Sequence, residues 1–218
     1  VNEVIDENEP DGMRHSIWYE ITGKEYIELA FRVTREVAGP NARLYINDYN
    51  TNIPKKRDAL YDLVVELRDK GVPIDGVGHQ THININWPSV NEMRASIEKF
   101  ASLGLDNQIT EMDISIYPND TDKYTEVPEE VHIQLAHRYK EVFDMFVELS
   151  DKISSVVLWG TDDGNSWLRS FPIIRLNTPL LFDEHLKAKY AYWALVDETK
   201  VPPLPATEAK PVVDKKQA

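Results

Sequence analysis

Cysteine is absent from the 218-residue sequence, which excludes disulfide bonds and thiolate chemistry. Basic residues are scarce: 24 Lys and Arg stand against 37 Asp and Glu, and the formal net charge is −13. A nucleic-acid partner is therefore not expected, because binding to phosphates requires clustered basic residues. No apolar run approaches the roughly 20 residues that span a bilayer. What remains is a globular chain, 42% hydrophobic, with enough apolar surface for one domain core.

Helical and strand-like patterns alternate along the chain. Apolar residues at helical spacing, mostly between a proline and a glycine, predict helices. The predicted helices cover 23–38, 54–70, 88–103 and 128–149. Short apolar runs predict strands at 42–48, 74–82, 108–115 and 153–159, and residues 1–5 contain the end of another. Strands that alternate with helices in units of about 30 residues indicate a parallel sheet.

Both a doubly wound sheet and a (β/α)₈ barrel fit this order. An open sheet binds its ligand at one switch point, whereas a barrel takes catalytic residues from the ends of many strands. Here polar side chains follow nearly every strand. We therefore expect an α/β fold, a (β/α)₈ TIM barrel that is incomplete in this chain and present from its fourth strand onward. Residues 1–200 are assigned to the barrel and the Pro- and Lys-rich residues 201–218 to a linker or tail.

Four polar side chains on two of the predicted strands are expected to converge. Successive side chains of a strand point to opposite faces, so Glu111 and Asp113 share a face, as do Gln80 and His82 on the neighbouring strand. A carboxylate within an apolar strand is costly unless it has a partner. We therefore expect Glu111 to have a functional role.

A second carboxylate, Glu3, lies near the end of the first strand. Two carboxylates from different strands suggest acid/base or covalent chemistry on a glycosidic bond. Aromatic surfaces support this hypothesis, because the apolar faces of sugar rings pack on them. Trp159 and Trp167 lie in the polar stretch WGTDDGNSW after the last strand and are expected to contact sugar. The other tryptophans, expected to pack in the core, are Trp18, Trp87 and Trp193.

A metal site is the competing use of these residues, since His79 and His82 form an HxxH pair. On a strand, however, residues three apart face opposite sides, so the two imidazoles would not share a metal ion. No metal site is expected. His82 is expected to orient or neutralise a carboxylate, and His79 to be a partly buried histidine with its hydrogen bonds satisfied.

Several motifs together are typical of one enzyme family. They are VNE at 1–3, INDYN at 46–50, GVGHQTH at 76–82, ITEMDI at 109–114, LWGTDD at 158–163, SWL at 166–168 and PLLFDEHLKAKYAYWAL at 179–195. With these motifs the chain, from residue 1 to about 197, resembles the C-terminal two-thirds of the catalytic domain of family 10 glycoside hydrolases, the endo-β-1,4-xylanases.

The resemblance implies roles for individual residues. Glu3 corresponds to the family's general acid/base and Glu111 to its nucleophile. Asn2 is implied to bind the 2-hydroxyl of the sugar at the cleavage point. The full set of expected substrate-binding residues is Asn2, Asn47, Tyr49, Gln80, His82, Trp159 and Trp167, with Asp113 in support through His82.

The implied mechanism is double displacement, for which one acid starts protonated and the other ionised. The charge of Glu111 is expected to favour a proton on Glu3, and His82 to favour the ionised form of Glu111. This chemistry requires no metal or organic cofactor.

The resemblance implies a retaining endo-xylanase that acts on xylan or xylo-oligosaccharides and is secreted, although no signal peptide is present in this chain. It also implies that three preceding βα units, which grip part of the substrate, are not in this chain. The chain would then be a truncated or cleaved enzyme, or one portion of a larger structure. The N-terminal part of the same barrel is thus an expected partner, and the linker is compatible with further modules. Two alternatives stay open: a carbohydrate-binding scaffold without turnover, and a related retaining β-glucanase.

Overall fold

The computed structural model describes residues 1–204. Its strands are β1 (Tyr45–Asp48), β2 (Gly76–His79), β3 (His82–Asn84), β4 (Asp106–Ser115) and β5 (Ile153–Leu158). Its α-helices are α1 (Ile17–Thr22), α2 (Glu25–Ala38), α3 (Pro54–Asp69), α4 (Val90–Ala101), α5 (Glu129–Glu148) and α6 (Tyr190–Val196). No helix in this part of the chain is both long and apolar enough to cross a membrane. The predicted tail lies outside the described residues from position 205 onward.

The strands pair in parallel in the order β1, β2, β4, β5. Strand β3 also pairs in parallel with β4, beyond the part of β4 that pairs with β2. Ahead of β1, Asn2 makes a parallel bridge with Asn47, and the Glu3 backbone N–H donates to the Asn47 carbonyl at 2.8 Å. Residues 1–3 therefore occupy the place of a further strand. The predicted alternation of parallel strands and helices is confirmed.

Two apolar clusters hold the helices against the strands. The first joins α2, α3 and β1 through Ile27, Phe31, Ile46, Leu60 and Val64. The second joins α4, α5 and β4 through Ile97, Met112, Ile114, Leu135 and Tyr139. Each fully buried aliphatic or aromatic side chain stabilises the fold by roughly 1.5–3 kcal/mol. The clusters thereby fix the strands whose polar residues form the site described below.

The predicted strand 74–82 is broken into β2 and β3. Thr81 has φ +63°, a left-handed conformation in which a β-branched residue cannot continue a strand. Flanking hydrogen bonds hold the break: Gln80 N–H donates to the Asp48 carbonyl at 3.0 Å, and Glu111 N–H donates to the Gln80 carbonyl at 3.1 Å. The expectation of one continuous strand was wrong, because a local rotation redirects the chain between Gln80 and His82.

Trp18 is also placed differently from expectation. It is 64% exposed, so within the described residues it is not a core residue. It belongs to an exposed apolar surface, the α1–α2 face, made of Ile17, Trp18, Ile21, Leu29, Val33 and Val37. Exposed apolar surface of this kind marks a place where another part of a protein packs.

Candidate active site

Glu3 and Glu111 come from segments that are not neighbours in the sheet. Residues 1–3 lie beside β1, and Glu111 lies in β4, with β1 and β2 between them. Glu3 has φ +53°, an uncommon backbone conformation for a residue other than glycine. The side chains are 29% and 15% exposed, respectively. Both carboxylates are thus partly shielded but open to a ligand.

A chain of side-chain amides joins the two carboxylates. Asn47 Nδ2 donates to Glu111 Oε1 at 2.9 Å and to Asn2 Oδ1 at 2.7 Å. Gln80 Nε2 donates to the same Asn2 oxygen at 3.2 Å and to Glu3 Oε1 at 3.1 Å. Hydrogen bonds to carboxylates are the stronger kind and fix orientation. The network therefore holds Glu3 and Glu111 in one site.

Asn2 is oriented by this network. Its Oδ1 accepts from both Asn47 and Gln80, while its Nδ2 donates to Glu3 Oε1 at a longer 3.3 Å. An amide nitrogen carries two hydrogens, so one N–H of Asn2 stays available. That N–H can donate to a hydroxyl oxygen of a bound sugar beside Glu3.

His82 lies between two carboxylates. Its Nδ1 is 3.0 Å from Asp113 Oδ1, and its Nε2 is 3.5 Å from Glu111 Oε2. Trp167 Nε1 donates to the other Asp113 oxygen at 2.6 Å, which fixes this fully buried carboxylate. Burial acts to lower the pKa of His82, but the hydrogen bond and charge of Asp113, with the charge of Glu111, outweigh it and raise the pKa. His82 can therefore stabilise negative charge on Glu111.

The two predicted sugar-binding tryptophans flank His82. The ring centroid of Trp167 is 5.0 Å and that of Trp159 is 6.4 Å from the imidazole centroid. Trp159 is anchored through its backbone N–H, which donates to the Met112 carbonyl at 2.9 Å, and is 47% exposed. An aromatic surface therefore stands next to the carboxylates and faces solvent.

His79 and His82 do not share a site. His79 is 3% exposed, and its Nδ1 and Nε2 contact Thr51 Oγ1 at 2.7 Å and Asn107 Oδ1 at 3.0 Å. Burial lowers the pKa of His79 to about 4, so it is neutral at pH 7. It is more deeply buried than expected, and both ring nitrogens are occupied. In residues 1–204, no group of three or more His, Cys, Asp or Glu side chains could hold a metal ion.

Residues 1–198 match the sequence model of glycosyl hydrolase family 10. The chain belongs to this family. Its relatives include a "Thermostable celloxylanase" from Thermoclostridium stercorarium, 56% identical over 203 residues, which cover 92% of this chain and 52% of the relative. This chain therefore spans about half the length of that curated relative.

Solved structures of family 10 members show the same fold. Xylanase B from Clostridium stercorarium F9 has a TM-score of 0.89 and 57% identity, over 90% of this chain and 59% of that one. A xylanase mutant from Thermoanaerobacterium saccharolyticum in complex with xylotetraose has a TM-score of 0.77 and 44% identity, over 89% of this chain and 56% of that one. The chain is part of a (β/α)₈ TIM barrel, as expected.

The proton balance of this family 10 site differs from expectation at Glu3. Burial acts to raise the pKa of Glu3, but hydrogen bonds from Gln80 and Arg14 and the charges of Arg14 and Lys56 outweigh it, so the pKa is lowered. The expectation that the charge of Glu111 favours a proton on Glu3 omitted these cations, which act in the opposite direction. Arg14 is separated from Glu3 by a ten-residue loop, and no sequence pattern marks the contact.

A buried ion pair beside the site was also missed. Lys56 Nζ lies 2.9 Å from Asp48 Oδ1, and both side chains are 0% exposed. The ring of Tyr49 lies over the same ammonium, with 3.2 Å from Nζ to its centroid. Lys56 thus contacts Tyr49, one of the expected substrate-binding residues. A signal was available, because Lys56 is four residues before Leu60 on the buried stripe of α3.

Proposed function

We propose that this chain carries the catalytic carboxylates of a retaining endo-β-1,4-xylanase. The observation that supports this most strongly is the asymmetric environment of the two acids within one amide network. Glu111 is the less exposed and has Asn47 on one oxygen and His82 near the other. Glu3 is the more exposed and has Asn2 and Gln80 beside it.

This arrangement supports a two-step reaction. Glu111 attacks the anomeric carbon while Glu3 gives its proton to the glycosidic oxygen, so that the leaving sugar departs as an alcohol. Glu3 then takes a proton from water, which attacks the same carbon and releases Glu111. Asn47 and His82 stabilise Glu111 as an anion before attack and as a leaving group afterwards.

Xylan is the proposed substrate class on the strength of the relatives. Several of them are named as xylanases, and one similar structure holds xylotetraose. Trp159 and Trp167 supply the aromatic surface that an apolar sugar face requires. Secretion, and attachment of further modules through residues 201–218, stay predictions; one similar structure is described as an intracellular xylanase.

The test is the stereochemistry of cleavage. The anomeric products of a xylo-oligosaccharide are monitored by ¹H NMR immediately after the full protein is added. We expect the β-anomer to appear first and the α-anomer to grow only by mutarotation. Retention implies carboxyl groups about 5–5.5 Å apart, a separation that stays a prediction. Boiled protein is the control.

Other outcomes separate the alternatives. An α-anomer formed first would indicate inversion and contradict double displacement. Binding without release of reducing sugar would favour the scaffold, and faster cleavage of β-glucan than of xylan would favour the glucanase.

We further propose that additional βα units complete the barrel against the free strand edges and the α1–α2 face of this chain. Within the described residues, segment 1–3 is paired with β1, and β5 pairs with β4 alone. The free edges and the exposed α1–α2 face fit the missing strands and helices of a closed barrel. The expected partner is the N-terminal part of the same barrel.

Residues 1–218 produced alone are expected to aggregate or to melt without cooperativity, and to leave xylan intact. A stability of about 5–15 kcal/mol is too small to offset the loss of three packed units. Size-exclusion chromatography, thermal melting and a reducing-sugar assay measure this. A monodisperse, cooperatively melting and active preparation of this chain alone would contradict the proposal.

A further inference from the structure

Arg14 reaches Glu3 through a hairpin-like loop. The chain leaves Glu3, and Ile5 forms an antiparallel bridge with Met13. The Arg14 backbone N–H then donates to the Val4 carbonyl at 2.9 Å. Met13 is 2% exposed and anchors the returning segment in the core. Arg14 is therefore placed beside Glu3 by a fixed backbone.

The Arg14 side chain completes the hydrogen bonding of the Glu3 carboxylate. Arg14 Nη1 forms an ion pair with Glu3 Oε2, while Gln80 Nε2 donates to Oε1 at 3.1 Å. With an N–H donor on each oxygen, the ionised form of Glu3 is favoured, because a protonated carboxyl would place its own hydrogen against a donor. Arg14 is 45% exposed, so its guanidinium can turn into solvent without a change in the backbone.

Charged groups face Glu3 and Arg14 from several elements. Lys56 of α3 is a second cation that acts on Glu3, although it is paired with Asp48. Asp48 and Tyr49, at the end of β1, face Arg14. Glu111 of β4 is joined to Asn2 through Asn47, and His82 of β3 lies behind Glu111. Arg14 is the one cation among these that contacts the Glu3 carboxylate directly.

We propose that Arg14 is a positioning residue that holds Glu3 as an aligned anion and sets the balance between its acid role in the first step and its base role in the second. This inference rests on the proposed acid/base role of Glu3. Paired with Arg14, ionised Glu3 is ready to take a proton from water in the second step. For the first step Glu3 binds a proton and loses the charge that attracts Arg14, and the guanidinium moves toward solvent. Arg14 thus favours the base form at the expense of the acid form.

The direct test is a titration of Glu3 that does not depend on turnover. In full protein labelled with ¹³C at the glutamate carboxyl, the Glu3 resonance is identified by its loss in Glu3→Gln. Arg14→Gln is expected to raise the proton affinity of Glu3 about two- to fivefold, the range for a half-exposed ion pair. Arg14→Lys is expected to keep most of the wild-type affinity, because it keeps the positive charge.

A matched control uses another arginine–glutamate pair. Arg94 forms an ion pair with Glu148, away from the site residues, and Arg94→Gln is expected to leave the Glu3 titration unchanged. In the wild-type protein, the Arg14 guanidinium ¹⁵N resonances are expected to titrate with the midpoint of Glu3, a measurement that requires no variant to fold.

Kinetics then link the pair to catalysis. Arg14→Gln is expected to move the alkaline limb of kcat/KM on xylo-oligosaccharides to higher pH, because Glu3 keeps its proton longer. The inference would be overturned by an unchanged Glu3 titration in folded Arg14→Gln. It would also be overturned if the Arg14 guanidinium resonances did not shift at the pH midpoint of Glu3. A shifted titration in a protein that cleaves no glycoside would instead refute only the proposed function.

Discussion

Glu111→Ala is expected to reduce turnover of both xylan and activated aryl xylosides by a factor on the order of 10⁵, as expected when a covalent nucleophile is removed. In the proposed mechanism both substrates pass through attack by Glu111, so a better leaving group cannot compensate. The surrounding donors Asn47 and His82 would remain but would have no carboxylate to hold. Initial rates in the full protein measure the loss.

The control for Glu111→Ala is Glu148→Ala, which removes a 63% exposed glutamate of α5 and is expected to keep wild-type rates. Added azide provides a second check. It fits the space of the missing carboxyl and attacks from the side of Glu111, so an α-glycosyl azide is expected from an activated β-xyloside. Residual activity within tenfold of wild type, or rescue that yields the β-azide, would contradict the nucleophile assignment.

The alternation of apolar runs was sufficient to predict the order of the four long helices α2 to α5 and of the strands between them, because buried faces impose their periods on the sequence. The short helices α1 and α6 were not predicted. Segment 108–115 illustrates the successful predictions: the predicted strand corresponds to β4, Asp106–Ser115. The strand rule also placed Glu111 and Asp113 on one face, and in the structure both contact His82. Period-two reasoning holds for this pair even though the pairing of β4 with β5 shifts register between Ile109 and Met112.

The same reasoning was less accurate where the backbone leaves a regular element. Gln80 and His82 do meet the carboxylates, but through the left-handed Thr81 and not through a continuous strand. The separation of His79 from His82 was likewise expected from strand alternation, while the structure achieves it across this break. Left-handed conformations outside glycine leave little signal in a single sequence.

Long-range charge contacts could not be derived from local patterns. The Arg14–Glu3 pair depends on how a loop folds back, and a lysine such as Lys56 is usually exposed. Only the helical phase of α3 hints at its burial. The lowered pKa of Glu3 follows from these two cations with Gln80, and so the acid/base balance of the site required the structure.

That balance gives a sharp expectation for Glu3→Ala. General acid catalysis matters in proportion to the basicity of the departing oxygen, so kcat/KM on xylan is expected to fall by about 10²–10⁴. On a dinitrophenyl xyloside, whose leaving group departs as an anion, kcat/KM is expected to fall less than about tenfold, while kcat falls more because water is no longer activated in the second step.

The variant should also lose the alkaline limb of the pH profile on xylan, since that limb reports loss of the Glu3 proton. Azide is expected to restore kcat on the aryl substrate and to give the β-glycosyl azide, the stereochemical opposite of the Glu111→Ala product, because it attacks the covalent intermediate from the side of Glu3. Steady-state kinetics on both substrates with product analysis by NMR measures all of these. Equal losses of kcat/KM on the two substrates would show that Glu3 is not the proton donor, however close to Glu111 it lies.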